Sequence, residues 1–352
     1  MNKIIFGGGK NCLNTIRLLA ALQVVYGHTL AHMEIPGIPV LGTFLNFFSG
    51  VPIFFTMSGF LIWSSIGRSN SFGEYLQKRF WRIFPELWVA VAVELAVLLL
   101  FYREPVSWSQ LGAFAITQST IFQFWTPDCL RGYGCGCPNG SLWTICVLIQ
   151  FYFFAFYLFK FLHGKKFIRW AATFIVSLGI SLLIPYVREM VPETAGKLLS
   201  QTLLPYLWMF ILPAYVAEKK EVLLPVLIKY WWIFLVATLI ISYTGFDITA
   251  AYAVLHTISL FACLTGASYV FARLNVKTDI SYGIYIYHMT VVNALLEFGF
   301  MHDTWLLALV VLITCLLSWI STKTVGEYCA NRKKGLVKGR LRNERKFSQI
   351  TE

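Results

Sequence analysis

The sequence is dominated by apolar runs that are long enough to cross a lipid bilayer as helices. A span needs about 20 residues, because each helical residue adds about 1.5 Å and the hydrocarbon layer is about 30 Å thick. Ten such runs are predicted, at residues 13–32, 44–66, 85–102, 141–162, 170–187, 199–217, 224–243, 250–272, 280–299 and 304–325. Only 13% of the 352 residues are charged, against about 25% in soluble proteins. The sequence therefore predicts an all-α integral membrane protein, a bundle of about ten transmembrane helices.

The longest predicted loop separates the third run from the fourth and covers residues 103–140. It contains one further apolar stretch, 108–125, in which glutamine, serine and threonine recur throughout. We predict that this stretch is a re-entrant or interfacial part of the loop. The predicted organisation is one transmembrane domain over residues 1–330, followed by a basic cytoplasmic tail over residues 331–352.

Basic residues are distributed unevenly between the two sides of the predicted bundle. If the N-terminus is cytoplasmic, 24 of the 29 Lys and Arg residues lie on the cytoplasmic side. Four lie on the outer side, and Arg17 lies inside the first run. The positive-inside rule therefore predicts that both termini are cytoplasmic. The tail is expected to contact anionic lipid, and the net charge of +12 gives no reason to expect nucleic acid as a partner.

Two ionisable residues lie in the first run, Arg17 and His28. Eleven positions on a helix bring them within about 20° of the same face, about 16 Å apart. An ionisable residue at bilayer depth is costly, so both are candidates for a functional site. Alternatively, His28 is hydrogen-bonded by a neighbour, and Arg17 extends to the inner interface.

Five further motifs follow in the chain. They are GVPIFFTMSGF (50–60), KRFWRIFP (78–85), SLWTICVLIQFY (141–152), ISYGIYIYH (280–288) and VGEY (325–328). With the Arg17-x10-His28 pair, they make the chain resemble the membrane acyltransferase-3 family, whose members modify cell-envelope glycans. The resemblance covers residues 14–327.

The resemblance implies an O-acyltransferase of the bacterial inner membrane. It would move an acyl group, expected to be acetyl, from cytoplasmic acyl-CoA to a hydroxyl of an envelope glycan such as O-antigen or exopolysaccharide, or of a lipid-linked saccharide. His28 is implied as general base or transient acyl carrier, with Arg17 as its catalytic partner. Arg17, Lys78, Arg79 and Arg82 are predicted to bind acetyl-CoA, although positive-inside charge also explains the last three. Since no second domain follows the last run, direct transfer is expected.

A substrate tunnel is also implied, lined by Phe55, Ser58, Trp143, Tyr282, Tyr285 and His288. Packing within the bundle is the alternative role for these side chains.

Three positions depart from the family pattern. Leu148 replaces an acid in the fourth run, and Asn14 replaces a frequent acid before Arg17. Near the end of the chain, the Glu-x-Pro of the family reads Glu327-Tyr328-Cys329, so Cys329 replaces a proline. The loss of the fourth-run acid weakens any mechanism that needs it for proton transfer. Glu94, in the middle of the third run, is a candidate substitute.

Cys129, Cys135 and Cys137 lie together in the predicted outer loop. An oxidising compartment would allow one disulfide among them, and we predict one that staples the loop. Zinc is the weaker alternative, because C-x5-C-x-C is an unfamiliar ligand spacing, and no metal is expected.

The alternative function is a multi-span transporter or exporter of a small molecule or lipid-linked substrate. Buried ionisable residues are common in such proteins, but transporters usually show internal repeats and broken helices, and neither is evident here. A transporter would not consume acyl-CoA. The sequence predicts no oligomeric state.

Overall fold

The computed structural model describes residues 10–244, 249–329 and 331–332. Within these ranges the chain forms thirteen α-helices and no β-strand. They are α1 (Leu13–His32), α2 (Pro39–Asn46), α3 (Gly50–Ile66), α4 (Phe72–Phe101), α5 (Trp108–Gln118), α6 (Trp143–Leu162), α7 (Phe167–Met190), α8 (Glu193–Ser200), α9 (Leu207–Glu218), α10 (Lys220–Thr244), α11 (Thr249–Val270), α12 (Ser281–Glu297) and α13 (Trp305–Ser321). One turn of π-helix, Thr322–Gly326, extends α13.

Seven helical segments of the described chain are long and apolar enough to cross a membrane, and an eighth is added if the bent pair α8 and α9 counts as one span. The predicted class, an all-helical integral membrane protein, is thereby confirmed. The count of about ten and the cytoplasmic position of both termini stay predictions. Two predicted spans, α1 and α12, are neither among these seven segments nor part of the bent pair. α1 carries Asn14, Arg17, Gln23 and His28, and α12 has only 17 residues.

Two helices lie at the centre of the bundle. α12 packs against α1, α4 and α13, and α3 packs against α1, α6 and α9. Every residue from Gly283 to Asn293 is buried. The outer helices instead expose large apolar side chains, such as Ile175 on α7, Val236 on α10 and Leu312 on α13. Exposed apolar surface of this extent is expected where helices face lipid.

Glycines set two of the closest contacts between helices. A Cβ at Gly59 would lie 2.6 Å from the carbonyl oxygen of Phe210, and one at Gly283 would lie 2.9 Å from Cα of Ser318. Small residues let membrane helices approach to backbone contact. Gly59 therefore fixes α3 against α9, and Gly283 fixes α12 against α13.

The long loop folds back along α4. α5 packs against α4, and the indole of Trp88, in the middle of α4, donates to the carbonyl of Ser119 at 2.9 Å. That residues 108–125 are a re-entrant or interfacial part of the loop stays a prediction. We call the end of the bundle that carries residues 103–140 the loop face, and the opposite end, which carries the 67–71 turn, the basic face.

Candidate active site

A cavity of about 350 Å³ lies among α1, α3, α4, α6 and α12. Its lining comprises Asn14, Arg17, Val51, Phe54, Phe55, Met57, Ser58, Leu61, Ile62, Ser65, Arg68, Arg79, Arg82, Ile83, Thr144, Ile145, Leu148, Tyr152, Ser281, Tyr282 and Tyr285. Arginines line the end towards the basic face, apolar side chains line the middle, and the hydroxyls of Thr144 and Tyr285 lie towards the loop face. The cavity therefore has one cationic end and one neutral, hydroxyl-bearing end.

The arginine end is organised by Asp279, which precedes α12. Its Oδ2 forms an ion pair with the guanidinium of Arg17 and lies 3.7 Å from Nη2 of Arg82. Its Oδ1 accepts from the backbone N–H of Ser281 at 3.1 Å and from the hydroxyl of the same residue. Although burial opposes this, Arg17, the Ser281 hydrogen bonds and Arg82 hold the pKa of Asp279 below its ordinary value. Asp279 is thus the anion that Arg17 requires at the edge of the membrane.

Asp279 is not among the site residues predicted from the sequence. Two signals pointed to it: an arginine in an apolar run needs an anion, and Asp279 directly precedes the ISYGIYIYH motif. The pairing itself joins residues 262 positions apart, so spacing along one helix does not reveal it.

Arg79 is held in a fixed orientation. Its Nη2 donates to the hydroxyl of Ser65, and its guanidinium carbon lies 5.6 Å from the ring centroid of Tyr75 and 5.5 Å from that of Tyr152. Its buried Nε–H has no partner in the described chain. No Asp or Glu lines the cavity among the residues that the structure describes. The four arginines that line the cavity give it positive charge, which suits a polyanionic ligand.

The middle of the cavity is apolar, with Phe54, Phe55, Leu61 and Leu148 on its walls. Leu148 occupies the position where the related motif carries an acid. Glu94 does not compensate there, because its side chain, only 1% exposed, is absent from the cavity wall.

A histidine pair lies beyond Tyr285, towards the loop face. Nδ1 of His28 is 2.8 Å from Nε2 of His288, and Nδ1 of His288 is 2.8 Å from the carbonyl oxygen of Tyr285. A carbonyl can only accept, so Nδ1 of His288 carries the proton of that bond. In a neutral His288 the Nε2 atom then accepts, and Nδ1 of His28 donates to it. The lone pair of His28 is therefore on Nε2, where it can take a proton from a substrate.

Neither histidine lines the cavity. They are connected to it by Tyr285, whose ring is 5.9 Å from that of His288 and 5.5 Å from that of Phe54. The hydroxyl of Tyr285 accepts from Thr144 at 2.7 Å and donates to the carbonyl of Ser141 at 3.1 Å. Arg17 and His28 thus lie on opposite sides of a fixed tyrosine.

The structure brings seven of the predicted site residues to the cavity: Arg17, Phe55, Ser58, Arg79, Arg82, Tyr282 and Tyr285. Three others lie elsewhere. Lys78, one position before Arg79 and so about 100° around the helix, pairs with Glu74 at 2.7 Å. Trp143 packs against the rings of Phe55 and Tyr206. His288 pairs with His28, as described above. In this structure Lys78, Trp143 and His288 do not line the cavity, and their roles in the site stay predictions.

The three loop cysteines are free thiols in the structure, so the predicted disulfide is not formed there. Cys137 contacts the hydroxyl of Thr126, with Sγ and Oγ1 3.3 Å apart. Burial raises the pKa of the thiols of Cys135 and Cys137. Among the described residues no cluster of three or more His, Cys, Asp or Glu has the arrangement of a metal site.

Hydrogen bonds from α12 hold the loop instead. The side chain of Asn293 accepts from the N–H of Cys135 at 2.8 Å and donates to the carbonyls of Cys137 and Pro138 at 3.0 and 2.7 Å. Glu297 accepts from the N–H of Gly134 at 2.7 Å. These bonds close the loop over the segment of α12 that carries His288. Sequence analysis did not identify Asn293, which looks like an ordinary polar residue near a helix end.

Comparison with known proteins agrees with this geometry. Residues 10–323 match the family model described as "Acyltransferase domain". Nodulation protein 10 of Rhizobium leguminosarum bv. viciae is 28% identical over 362 aligned positions, which cover 95% of this chain and 97% of that protein. An O-acetyl transferase of Shigella phage Sf6 is 30% identical, over 88% of this chain and 93% of that protein. No solved structure matches significantly. The chain belongs to the membrane acyltransferase-3 family.

Proposed function

We propose that this integral membrane acyltransferase moves an acetyl group from acyl-CoA to a hydroxyl of an envelope glycan. One observation carries the proposal: a single cavity runs from a cluster of arginines to Tyr285, next to the His28–His288 pair. A relative named as an O-acetyl transferase supports the same chemistry.

The donor enters from the basic face. Arg17, Arg68, Arg79 and Arg82 bind the phosphates, and the pantetheine arm extends along the apolar middle. Because acyl-CoA is cytoplasmic, the basic face is then the cytoplasmic side of the inner membrane. This assignment agrees with the distribution of Lys and Arg.

His28 acts as general base for the acceptor. Nε2 removes the proton from the glycan hydroxyl while its oxygen attacks the thioester carbonyl. The carbon–sulfur bond breaks, and the His28 imidazolium returns its proton to the departing thiolate, so the products are the ester and free CoA. His288 keeps the Nδ1–H of His28 engaged and so orients the ring. Transient acylation of His28 is the alternative route, with the same net reaction.

The fixed position of Tyr285 favours a short acyl group. Its ring lies 5.5 Å from that of Phe54, and its hydroxyl is held from two sides. A long acyl chain would have to displace this ring to reach His28. We expect acetyl-CoA to be a better donor than hexanoyl-CoA, measured as kcat/KM in the same membranes. Equal values for the two donors would refute this size limit.

The test uses membranes that contain the wild type, His28→Ala or Arg17→Ala at matched abundance. Labelled acetyl-CoA and envelope glycan are supplied, and the label is followed into alkali-labile ester. His28→Ala is expected to lower transfer by about 10²–10⁴-fold, as for loss of a general base. Undiminished transfer by His28→Ala would remove His28 from the mechanism. Absence of transfer by the wild type would refute the proposed donor or acceptor and favour a transporter.

A further inference from the structure

A second cavity of about 310 Å³ lies at the basic face, beside the first. The two cavities share two lining residues, Arg82 and Tyr282. One wall is the π-helical turn Thr322–Gly326, and π-helical turns often occur at functional sites. The mechanism above uses the first cavity only, so the second is unexplained.

The second cavity differs from the first in its chemistry. Carboxylates of Glu86, Asp279 and Glu327 line it beside the cations Arg82 and Lys277, whereas no carboxylate lines the first cavity in the described chain. The indole of Trp81, half-buried, forms another part of the wall. Carboxylates repel phosphate and accept hydrogen bonds from amino groups, while an indole stacks on planar rings. These features suit a neutral heteroaromatic ring that carries an amino group.

Glu86 is able to accept a hydrogen bond from such a ligand. The hydroxyls of Ser321 and Thr322 lie 3.4 and 3.5 Å from its Oε1. Hydroxyl–carboxylate bonds are usually 2.5–3.0 Å long, so these two contacts are weak. A closer donor from a ligand would improve the hydrogen bonding of this carboxylate.

Arg82 stands between the two cavities, with its side chain 41% exposed. A ligand that places a phosphate at Arg82 can therefore extend an apolar arm into the first cavity and a planar ring into the second. Acyl-CoA has these three parts in this order. We propose that the second cavity is the adenine subsite of the donor, in which the base stacks on Trp81 and its exocyclic amino group donates to Glu86. This inference rests on the proposed acyl-CoA donor.

The first test compares acetyl-CoA with acetyl-pantetheine, which lacks the nucleotide. Trp81→Ala is expected to raise KM for acetyl-CoA by about tenfold, the usual effect of losing one base–aromatic stack. Trp81→Phe keeps a ring and should change KM much less. Neither variant should change kcat/KM for acetyl-pantetheine. Trp232→Ala, an exposed tryptophan on α10 outside both cavities, is the matched control and should resemble the wild type.

The second test addresses Glu86 with the acetyl thioester of 1,N6-etheno-CoA, in which the exocyclic nitrogen no longer donates. The wild type should prefer acetyl-CoA to this analogue, and Glu86→Met should show no preference. Equal losses with acetyl-CoA and acetyl-pantetheine in Trp81→Ala would overturn the proposal. A preference that persists undiminished in Glu86→Met would overturn it as well.

Failure of the proposed function would give a different result: the wild type would transfer acetyl from neither donor. In that case the second cavity is tested separately, by measuring the affinity of the solubilised protein for adenosine 3′,5′-bisphosphate by calorimetry. Binding about tenfold weaker to Trp81→Ala than to the wild type and to Trp232→Ala supports a nucleotide subsite. Equal affinity for all three proteins overturns it.

Discussion

Replacing Asp279 by Asn should destabilise the protein by removing the anion between two arginines. The side chains of Arg17 and Asp279 are only 14% and 20% exposed. Loss of one partner of a buried ion pair costs about 3–5 kcal/mol, because the other charge stays buried without compensation. Partial exposure and the remaining Asn–Arg hydrogen bond place the expected cost for Asp279→Asn at the lower end, about 3 kcal/mol.

The loss of stability in Asp279→Asn should become smaller at acidic pH. The pKa of Asp279 in the folded protein is below its ordinary value, owing to Arg17, Ser281 and Arg82, despite the opposing effect of burial. A carboxylate with a lowered pKa contributes stability that is fully present above its unfolded pKa, about 3.9. That contribution is lost as pH falls through the folded pKa. The difference between the wild type and Asp279→Asn should be constant from pH 6 to 8 and shrink below about pH 4.

Thermal unfolding of both proteins in detergent, at pH 7, 5 and 3.5, measures this difference. The apparent melting temperature of Asp279→Asn should be several degrees lower at pH 7, and this difference should begin to narrow at pH 3.5. Asp303→Asn, an exposed aspartate at the loop face, is the control and should stay within about 0.5 kcal/mol of the wild type at each pH. Equal stability of Asp279→Asn and the wild type at pH 7, or an equally large difference at pH 3.5, would refute the reasoning.

Three further predictions concern the contacts that position the site. Gly59→Ala should lower the melting temperature, at a cost of about 1–3 kcal/mol, because its Cβ would lie 2.6 Å from a backbone oxygen of α9; Gly112→Ala, where a Cβ meets nothing within 4 Å, should not. Asn293→Ala removes three hydrogen bonds to the loop, each worth about 1 kcal/mol, so amide hydrogen exchange of residues 135–137 should accelerate; unchanged exchange would show that the loop is held by other contacts. His288→Phe should lower kcat by about 10–100-fold, as loss of an orienting partner does, and leave KM for the donor unchanged; an altered KM with unchanged kcat would contradict a positioning role.

The fold class was predictable because hydropathy in long runs is a local property of the sequence. Helices α4, α6, α7, α10 and α13 each contain an apolar run that is long enough to cross a membrane. Two of the helices that build the site, α1 and α12, are less obvious. α1 and α12 carry polar side chains and are packed inside the bundle, where other helices replace lipid as their surroundings.

Within the site, residues on one helix were predictable and partners across helices were not. Periodicity places Arg17 and His28 on one face of α1, and a helical face needs no tertiary information. Lys78 and Arg79 show the limit of the same reasoning: both belong to one basic motif, but neighbouring positions face different directions, and only Arg79 lines the cavity.

The two partners of α1 come from one short segment of the chain, and this fact explains the motif at residues 280–288. Arg17 pairs with Asp279, and His28 pairs with His288. Both contacts form at once only if α1 and α12 run in the same direction, side by side, so the two pairs fix the register between these helices. Tyr285 lies between the pairs and contributes its carbonyl to one and its ring to the cavity. A shift of one helix turn, about 5.4 Å, would break both pairs and bury a guanidinium without its anion. The cost of burying α1's ionisable groups thus enforces the alignment that places His28 beyond the neutral end of the cavity.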